Sequence, residues 1–164
     1  MENSNLKFRL VINLDSEDWH GLSTETVWVT KIEEKYRIEN YPLYAKGISY
    51  GDLVFGHSIG DNLIQLDSIF ETSGNSTYRV LYRQEVAIKA KALLKKLRDL
   101  GCGFEGGEIN ALNIATVNIP EKVNADRAWK IIKSGLDSEV WEVEEGVDRH
   151  PESCLLYTSD AADE

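Results

Sequence analysis

The first half of the chain holds the residue types of a hydrolytic site: Asp52, His57, Ser73 and Ser76. In such a site an imidazole accepts the proton of a serine hydroxyl, and a carboxylate orients the ring. His57 alternates with Leu53 and Phe55, so an extended strand turns it towards these apolar neighbours, at the core or its rim. A free imidazole also titrates near neutral pH, which suits proton transfer. The spacing does not require a triad, and no nucleophile-elbow motif is expected. A hydrolase with a site near His57 is therefore the least favoured of three functions.

A glycine-rich run, GCGFEGG, occupies residues 101–107 and has the residue types of a phosphate cradle. Such cradles place their glycines after a strand and before a helix, where unpaired N–H groups point at the phosphate. Here a predicted helix comes first and a strand follows, which indicates a helix C-cap leading into a bulged strand. Cys102 has no histidine near it in sequence and is predicted to be a small buried hydrophobic residue.

Polar side chains gather at the predicted strand ends, where loops meet: Asn40, Asp52, Ser73, Asn75 and Arg79. This cluster is one candidate binding site. The alternative is a structural role, because Asn and Ser side chains imitate backbone turns and the Asp52 carboxylate would cap loop N–H groups.

A second candidate is a set of aromatic residues: Trp28, Tyr36, Tyr41, Tyr44 and Tyr50. Most of the set is predicted to be core, and any exposed part would form an interaction patch, since Tyr and Trp are enriched at binding hot spots. No residue is predicted to be catalytic. The residues predicted to bind a partner or ligand are Asn40, Tyr44, Asp52, His57, Ser73, Asn75 and Arg79.

Two turn signals within residues 36–54, YRIENYPLYAKGISYGDLV, organise the first half of the chain. Asn40 and Pro42 favour one turn, because Asn tolerates unusual backbone angles and Pro fixes φ. Gly51 and Asp52 make the second. Five short strands are predicted at residues 6–14, 24–32, 35–39, 52–58 and 63–71. The first shows a period-two hydrophobic pattern, and the second is rich in β-branched and aromatic residues. Five such strands joined by tight turns favour a small β-barrel or a strongly curled sheet.

The hydrophobic period changes after the polar residues 72–76. Apolar residues at helical spacing predict a helix over residues 86–100, and Asn124 is a good N-cap for a second helix. Strands are predicted on either side of these helices: residues 77–83, 102–109, 113–119 and 139–145. The order β-α-β-β-α-β is typical of a ferredoxin-like unit. We therefore predict an α+β protein with a barrel-like half at residues 1–72 and a ferredoxin-like half at 73–153.

Four segments resemble a family of bacterial proteins, the domain of unknown function 4265. They are residues 39–54 (ENYPLYAKGISYGDLV), 73–80 (SGNSTYRV), 100–107 (LGCGFEGG) and 114–120 (IATVNIP). The likeness runs from about Phe8 to Pro120 in the family's order and spacing. It implies a small bacterial protein of about this size whose halves form one unit, and it implies no catalytic residues.

The last residues, CLLYTSDAADE at 154–164, resemble a translated sequencing adapter, so we exclude them from fold reasoning and expect the natural protein to continue differently after Ser153. Without them, 18 basic residues face 25 acidic ones, and the formal charge moves from −10 to −7. This balance disfavours nucleic-acid binding, which relies on cations placed against phosphates. Cys102 is then the only natural cysteine, so neither a disulfide nor a multi-cysteine zinc site is predicted.

The sequence predicts no signal peptide and no apolar run of the roughly 18 residues that span a bilayer, so a cytoplasmic location is expected. No cofactor and no metal are predicted. The favoured function is a non-enzymatic protein-binding or regulatory module, for example an immunity or antitoxin protein, because an acidic surface suits a basic partner. The alternatives are a small-molecule sensor, with its ligand held where the two halves meet, and the hydrolase.

Overall fold

The computed structural model describes residues 7–150. The chain divides into two compact units, with the boundary between Ser73 and Gly74. Among residues 7–73 the only regular elements are strands, and both α-helices of the described chain follow Gly74. The protein is therefore mixed α+β, as predicted, with two sheets and two helices.

The first unit contains five strands: β1 (Lys7–Asn13), β2 (Thr24–Ile32), β3 (Lys35–Ile38), β4 (Leu53–Gly60) and β5 (Leu63–Glu71). Consecutive strands pair antiparallel, so the first and the fifth run in the same direction. β1 and β5 therefore pair parallel, and this pair closes the strands into a ring. The ring closes through a short pairing of residues 9–11 with residues 63–65.

Alternation along the strands places one set of side chains inside the ring. On β2, Val27 and Val29 are buried, whereas Thr26 and Trp28 face outwards. The interior set is largely aliphatic, as β-branched and leucine side chains pack well on a pleated surface: Leu10, Ile12, Val27, Val29, Ile38, Ile48, Val54 and Ile64. Gly56 takes the inward position on β4. A Cβ added there would clash with Ile64 Cγ2 and lie 2.8 Å from the Gln65 carbonyl oxygen, so the position has no space for a side chain.

The second unit contains four strands and two helices: β6 (Ser76–Tyr82), α1 (Ala87–Leu100), β7 (Gly103–Ile109), β8 (Leu112–Ile119), α2 (Ala125–Asp137) and β9 (Glu142–Val147). A 3₁₀ turn at Gln84–Val86 leads into α1. The sheet order is β7-β8-β6-β9, and every neighbouring pair is antiparallel. The core of this unit joins one face of β6, through Tyr78 and Val80, to the apolar stripes of both helices.

The helix termini carry the predicted caps. Asn124 Oδ1 accepts a hydrogen bond from the Arg127 N–H at 3.1 Å, which confirms this residue as the N-cap of α2. Gly101 has φ of +111° and donates its N–H to the Arg98 carbonyl at 2.9 Å. The glycine-rich run is therefore a helix C-cap followed by β7, as its order predicts. The predicted bulge is wrong, because β7 pairs with β8 in an unbroken register.

The last strand starts later than the sequence pattern indicates. It was expected at residues 139–145 and lies at Glu142–Val147. Glu139 adopts φ of +61°, a left-handed conformation that reverses the chain after α2. The next two residues, Val140 and Trp141, are buried against the helices and enter the core before the strand begins.

Candidate functional site

His57 lies on the outer face of β4, and the prediction that it belongs to the core or its rim is wrong. Its side chain is 59% exposed, and its Nδ1 lies 2.8 Å from Oδ1 of Asp67 on β5. Gly56 takes the inward position of this strand, so His57 points the other way. An imidazole and a carboxylate thus meet on an open surface.

Asp52 and Ser73 meet through the backbone. The Asp52 carboxylate is fully buried and accepts hydrogen bonds from the N–H groups of Ser49 and Ser73, both at 2.9 Å. The Ser73 hydroxyl donates to the Tyr50 carbonyl at 2.7 Å. Asp52 therefore caps loop N–H groups, and these contacts hold the end of β5 against the loop before β4.

Ser76 belongs to the second unit and hydrogen-bonds to a histidine that sequence reasoning did not single out. Its Oγ lies 2.6 Å from His150 Nδ1, and the Nε2 of that ring lies 2.9 Å from the Pro120 carbonyl oxygen. Because a carbonyl only accepts, the His150 Nε2 carries a proton and donates it to the Pro120 carbonyl. Ser76, His57 and Asp52 each have a different partner, so no relay joins them.

Residues 47–51, GISYG, match the G-x-S-x-G pattern of a nucleophile elbow, so the expectation that the sequence holds no such motif is wrong. That motif needs a strand-to-helix turn that exposes the serine. Ser49 instead lies in the loop between β3 and β4, with no exposed surface, and its backbone N–H is bound by Asp52. The local structure is a tight turn and does not present a nucleophile.

The remaining polar candidates stabilise the fold. Asn40 Oδ1 accepts a hydrogen bond from the Trp28 N–H at 2.6 Å. This side-chain bond adds one contact to the pairing of β2 with β3. Asn75 Oδ1 accepts the Glu121 N–H at 3.1 Å. Arg79 has no exposed surface, and its Nε donates to Glu144 Oε1 at 2.9 Å across the β6–β9 pair. Asn40 belongs to the first unit, and Asn75 and Arg79 belong to the second.

Tyr44 lies in a cluster of rings on two loops of the first unit. Its ring centroid is 5.2 Å from that of His20 and 6.2 Å from that of Trp19. The residues of the predicted aromatic set lie in different environments. Tyr36 is buried, Trp28 is 47% exposed, and Tyr41 packs edge-on against Tyr50 with ring centroids 5.2 Å apart.

The Tyr44 loop is held by a carboxylate that the sequence analysis missed. Glu25, on β2, accepts the backbone N–H groups of Leu43, Tyr44 and Ala45 at 2.6, 3.0 and 2.8 Å. Three donors converge on two oxygens, and hydrogen bonds to an ionised acceptor are stronger than neutral ones. No local pattern signals this contact, because Glu25 and Tyr44 are distant in sequence.

We expect Glu25→Gln to lower the free energy of unfolding by about 1–3 kcal/mol, because an amide offers one acceptor oxygen where a carboxylate offers two. Urea denaturation measures this loss. Glu34→Gln, an exposed residue beside the same sheet, is the matched control and is expected to change little. Equal effects of the two substitutions would show that Glu25 does not hold the loop.

Cys102 follows the α1 cap and is buried. Burial raises the pKa of its thiol to about 11, because the thiolate is poorly solvated in an apolar environment. The thiol is therefore protonated at neutral pH and is not activated as a nucleophile. Among residues 7–150, no group of three or more His, Cys, Asp or Glu side chains is placed to hold a metal ion.

Exposed apolar side chains are concentrated on the first unit. Of the nine large hydrophobic residues that are exposed in the described chain, seven precede Ser73: Trp19, Leu22, Trp28, Phe55, Ile59, Ile69 and Phe70. Isolated exposed residues of this kind are ordinary, whereas contiguous ones mark interaction sites.

Two of these residues form a contiguous pair. Phe55 and Phe70 pack edge-to-face with ring centroids 5.3 Å apart, and the Lys35 ammonium lies 4.4 Å from the centre of the Phe70 ring. Phe55 is 38% exposed and Phe70 is 50% exposed. His57 and Asp67 lie on the same strands, β4 and β5. We call these five residues the Phe55–Phe70 surface.

The Phe55–Phe70 surface has acidic neighbours. Glu34 precedes Lys35 in the chain, Glu71 follows Phe70, and both are exposed. Residues 7–73 carry eleven acidic and six basic side chains, a net charge of −5. The Phe55–Phe70 surface therefore combines an aromatic centre with acidic neighbours.

The described residues thus define a two-unit α+β protein with an exposed aromatic surface and with its predicted polar residues used in loops and ion pairs. The chain belongs to the family described as "Domain of unknown function (DUF4265)", whose family model matches residues 25–143. The resemblance predicted from the sequence is therefore confirmed.

A solved structure with a similar fold is titled "Novel crystal structure of a hypothetical protein from Neisseria gonorrhoeae". The two chains share 19% identity with a TM-score of 0.68, over 87% of this chain and 96% of the other. At this identity the likeness concerns the fold alone. No curated protein matches the chain. Neither helix within residues 7–150 has the length and apolar character required to cross a membrane.

Proposed function

We propose that this protein is a non-enzymatic binding module that docks a basic partner protein on the Phe55–Phe70 surface. The observation that carries the proposal is the exposed pair Phe55 and Phe70, 5.3 Å apart, with the Lys35 ammonium over the second ring. Aromatic residues dominate the energy of protein interfaces because they bury a large area at little entropic cost.

The charge of the first unit supports a basic partner. Its acidic excess would steer such a partner towards the surface and would raise the association rate at low ionic strength. Lys35 and Arg37 do not reverse this balance, since Arg37 is paired with Glu39 at 3.0 Å. Association should therefore slow as salt is added.

The buried positions of the serines weigh against the hydrolase alternative. Ser49 and Ser76 have no exposed surface, and Ser73 donates its hydroxyl to a backbone carbonyl. His57 is accessible, but its nearest polar partner is Asp67.

We also propose more specific assignments for the fold of each unit, the domain boundary and the cellular location. The closed ring of β1–β5 supports classing the first unit as a small β-barrel, and the order β7-β8-β6-β9 supports a ferredoxin-like second unit. The division after Ser73 supports a domain boundary near residues 72–73. We further propose a cytoplasmic protein of the immunity or antitoxin kind, whose partner would be a basic toxin.

We expect Phe55→Ala combined with Phe70→Ala to abolish capture of a stoichiometric partner from a lysate of the source organism. With the recovered partner, calorimetry is expected to show at least about a 30-fold rise in Kd, which is the effect of losing one hot-spot residue. Ile88→Ala is the matched control, because Ile88 is 87% exposed and lies on α1 of the other unit.

Circular dichroism of the double variant establishes that the ring still folds. Recovery of the same partner by the folded double variant would refute docking at this surface. Failure of the wild-type chain to retain any stoichiometric partner would refute the protein-binding function itself.

A further inference from the structure

We propose that the groove between α1 and strands β7 and β8 binds a small amphipathic anion, with one negatively charged group on an aromatic or branched apolar body. The groove lies within the second unit and has a volume of about 400 Å³. Small-molecule sites fall in the range of roughly 300–1,000 Å³.

The floor of the groove is apolar. Leu94 from α1 and Ala115 from β8 are buried core residues, and the half-buried Phe104 of β7 packs beside them. Gly106 on β7 leaves space in this floor, because a Cβ added there would contact only the Ile114 carbonyl oxygen, at 3.4 Å. An apolar body would therefore be shielded from water on the sheet side.

The rim of the groove is cationic. Lys91, Lys95 and Arg98 line it at positions i, i+4 and i+7, which share one face of α1. The Arg98 guanidinium lies 4.3 Å from the Phe104 ring centre, so it is held above the apolar floor. One carboxylate, Asp99, also lines the groove and pairs with Lys95 at 3.2 Å, which leaves an excess of two positive charges.

This cationic rim contrasts with the rest of the molecule. The α1 helix carries five basic residues and one acidic residue, in a chain of net charge −10. A larger hollow of about 700 Å³ in the same unit is lined by Glu85, Glu139 and Glu142 with Arg83, and it would repel an anion. The positive charge at the α1 groove therefore favours a negatively charged ligand.

The test uses two dyes that differ in one group. 8-Anilinonaphthalene-1-sulfonate has an aromatic body and one anionic group, and N-phenyl-1-naphthylamine is the same body without the sulfonate. Titration of the full chain at low ionic strength is expected to show one site that binds the sulfonate more tightly than the neutral amine. Equal affinity for the two dyes, or no saturable binding of either, would overturn the proposal.

Two double variants separate the groove charges from the general charge of the helix. Lys91→Gln with Lys95→Gln is expected to weaken sulfonate binding about tenfold and to leave neutral-amine binding unchanged. Lys89→Gln with Lys96→Gln makes the same charge change on another face of α1, outside the groove, and is expected to alter neither. Equal losses in the two double variants would overturn the proposal, since the effect would then be non-specific.

A third variant tests the cavity itself. Gly106→Val fills the floor with a residue that strands accept, and both dyes are expected to lose their site. Unchanged binding in a variant with a wild-type circular dichroism spectrum would place the dyes elsewhere. Phe55→Ala with Phe70→Ala is expected to keep dye binding, so failure of this site and failure of the partner surface are distinguishable.

Discussion

Glu144→Ala is expected to lower the free energy of unfolding by about 3–5 kcal/mol, because it removes a carboxylate that contacts the buried guanidinium of Arg79. Arg79 has no exposed surface, and the Glu144 side chain is only 15% exposed. Screening by water is therefore weak, and the 2.9 Å contact between Nε and Oε1 compensates a large desolvation penalty. Removal of the Glu144 carboxylate takes this compensation away while Arg79 stays buried.

The same physics gives a different result when both charges are removed. Arg79→Met combined with Glu144→Leu is expected to lose less stability than the sum of the single variants, since two apolar side chains need no compensation. Asp137→Ala is the control, because its pair with Lys133 at 2.9 Å is exposed and contributes less than about 1 kcal/mol. Urea denaturation, followed by the fluorescence of Trp129 and Trp141 in a Trp19→Phe/Trp28→Phe background, reports the second unit.

Additive losses in the double variant would contradict this account, and so would a Glu144→Ala effect no larger than that of Asp137→Ala. Arg79 would then be a replaceable residue of the sheet. It was predicted as a binding residue from its type and its position near a loop, and its burial instead assigns it to stability.

Trp141→Ala is expected to lower the free energy of unfolding by about 3–5 kcal/mol, the typical loss for a buried aromatic residue. Trp141 is 3% exposed in the core of the second unit, and its Nε1–H donates to the Ile132 carbonyl at 2.9 Å. The indole fits over Gly135 of α2, where an added Cβ would lie 2.8 Å from Cζ2 and closer still to two other ring atoms.

Gly135→Ala tests this fit from the other side. Alanine is a better helix former than glycine by about 1 kcal/mol, yet we expect a net loss of about 1–3 kcal/mol because the methyl group displaces the indole. In a Trp141→Ala background the clash disappears, and Gly135→Ala is expected to become neutral or stabilising. Trp28→Ala, at a 47% exposed position, is the control for loss of a tryptophan without a cavity.

Chemical denaturation followed by circular dichroism measures these variants without relying on the altered fluorophore. A destabilising Gly135→Ala in both backgrounds would show that Trp141 is not the group that requires glycine. A Trp141→Ala effect equal to that of Trp28→Ala would show that the indole does not fill the core.

The periodicity of the sequence determined the elements. The β-branched and aromatic residues of 24–32 predict β2 at its observed bounds, and the apolar stripe of α1 matches its buried residues Ala90, Leu94 and Leu97. Caps were equally readable, because Asn124 and Gly101 act through bonds to residues only three positions away. Patterns of this kind are local, so they do not depend on the partners that an element finds.

Tertiary structure alone decided which side chains face solvent and which groups meet. The alternation of Phe55 and His57 with Leu53 was correctly read as one face, but only the closed ring turned that face outwards. Glu25 holds three N–H groups near residue 44, and His150 contacts Ser76 from the far end of the described chain. Such contacts join residues that are distant in sequence. They form only when the strands pair in a particular register and the ring closes, and the period of the hydrophobic residues does not specify either.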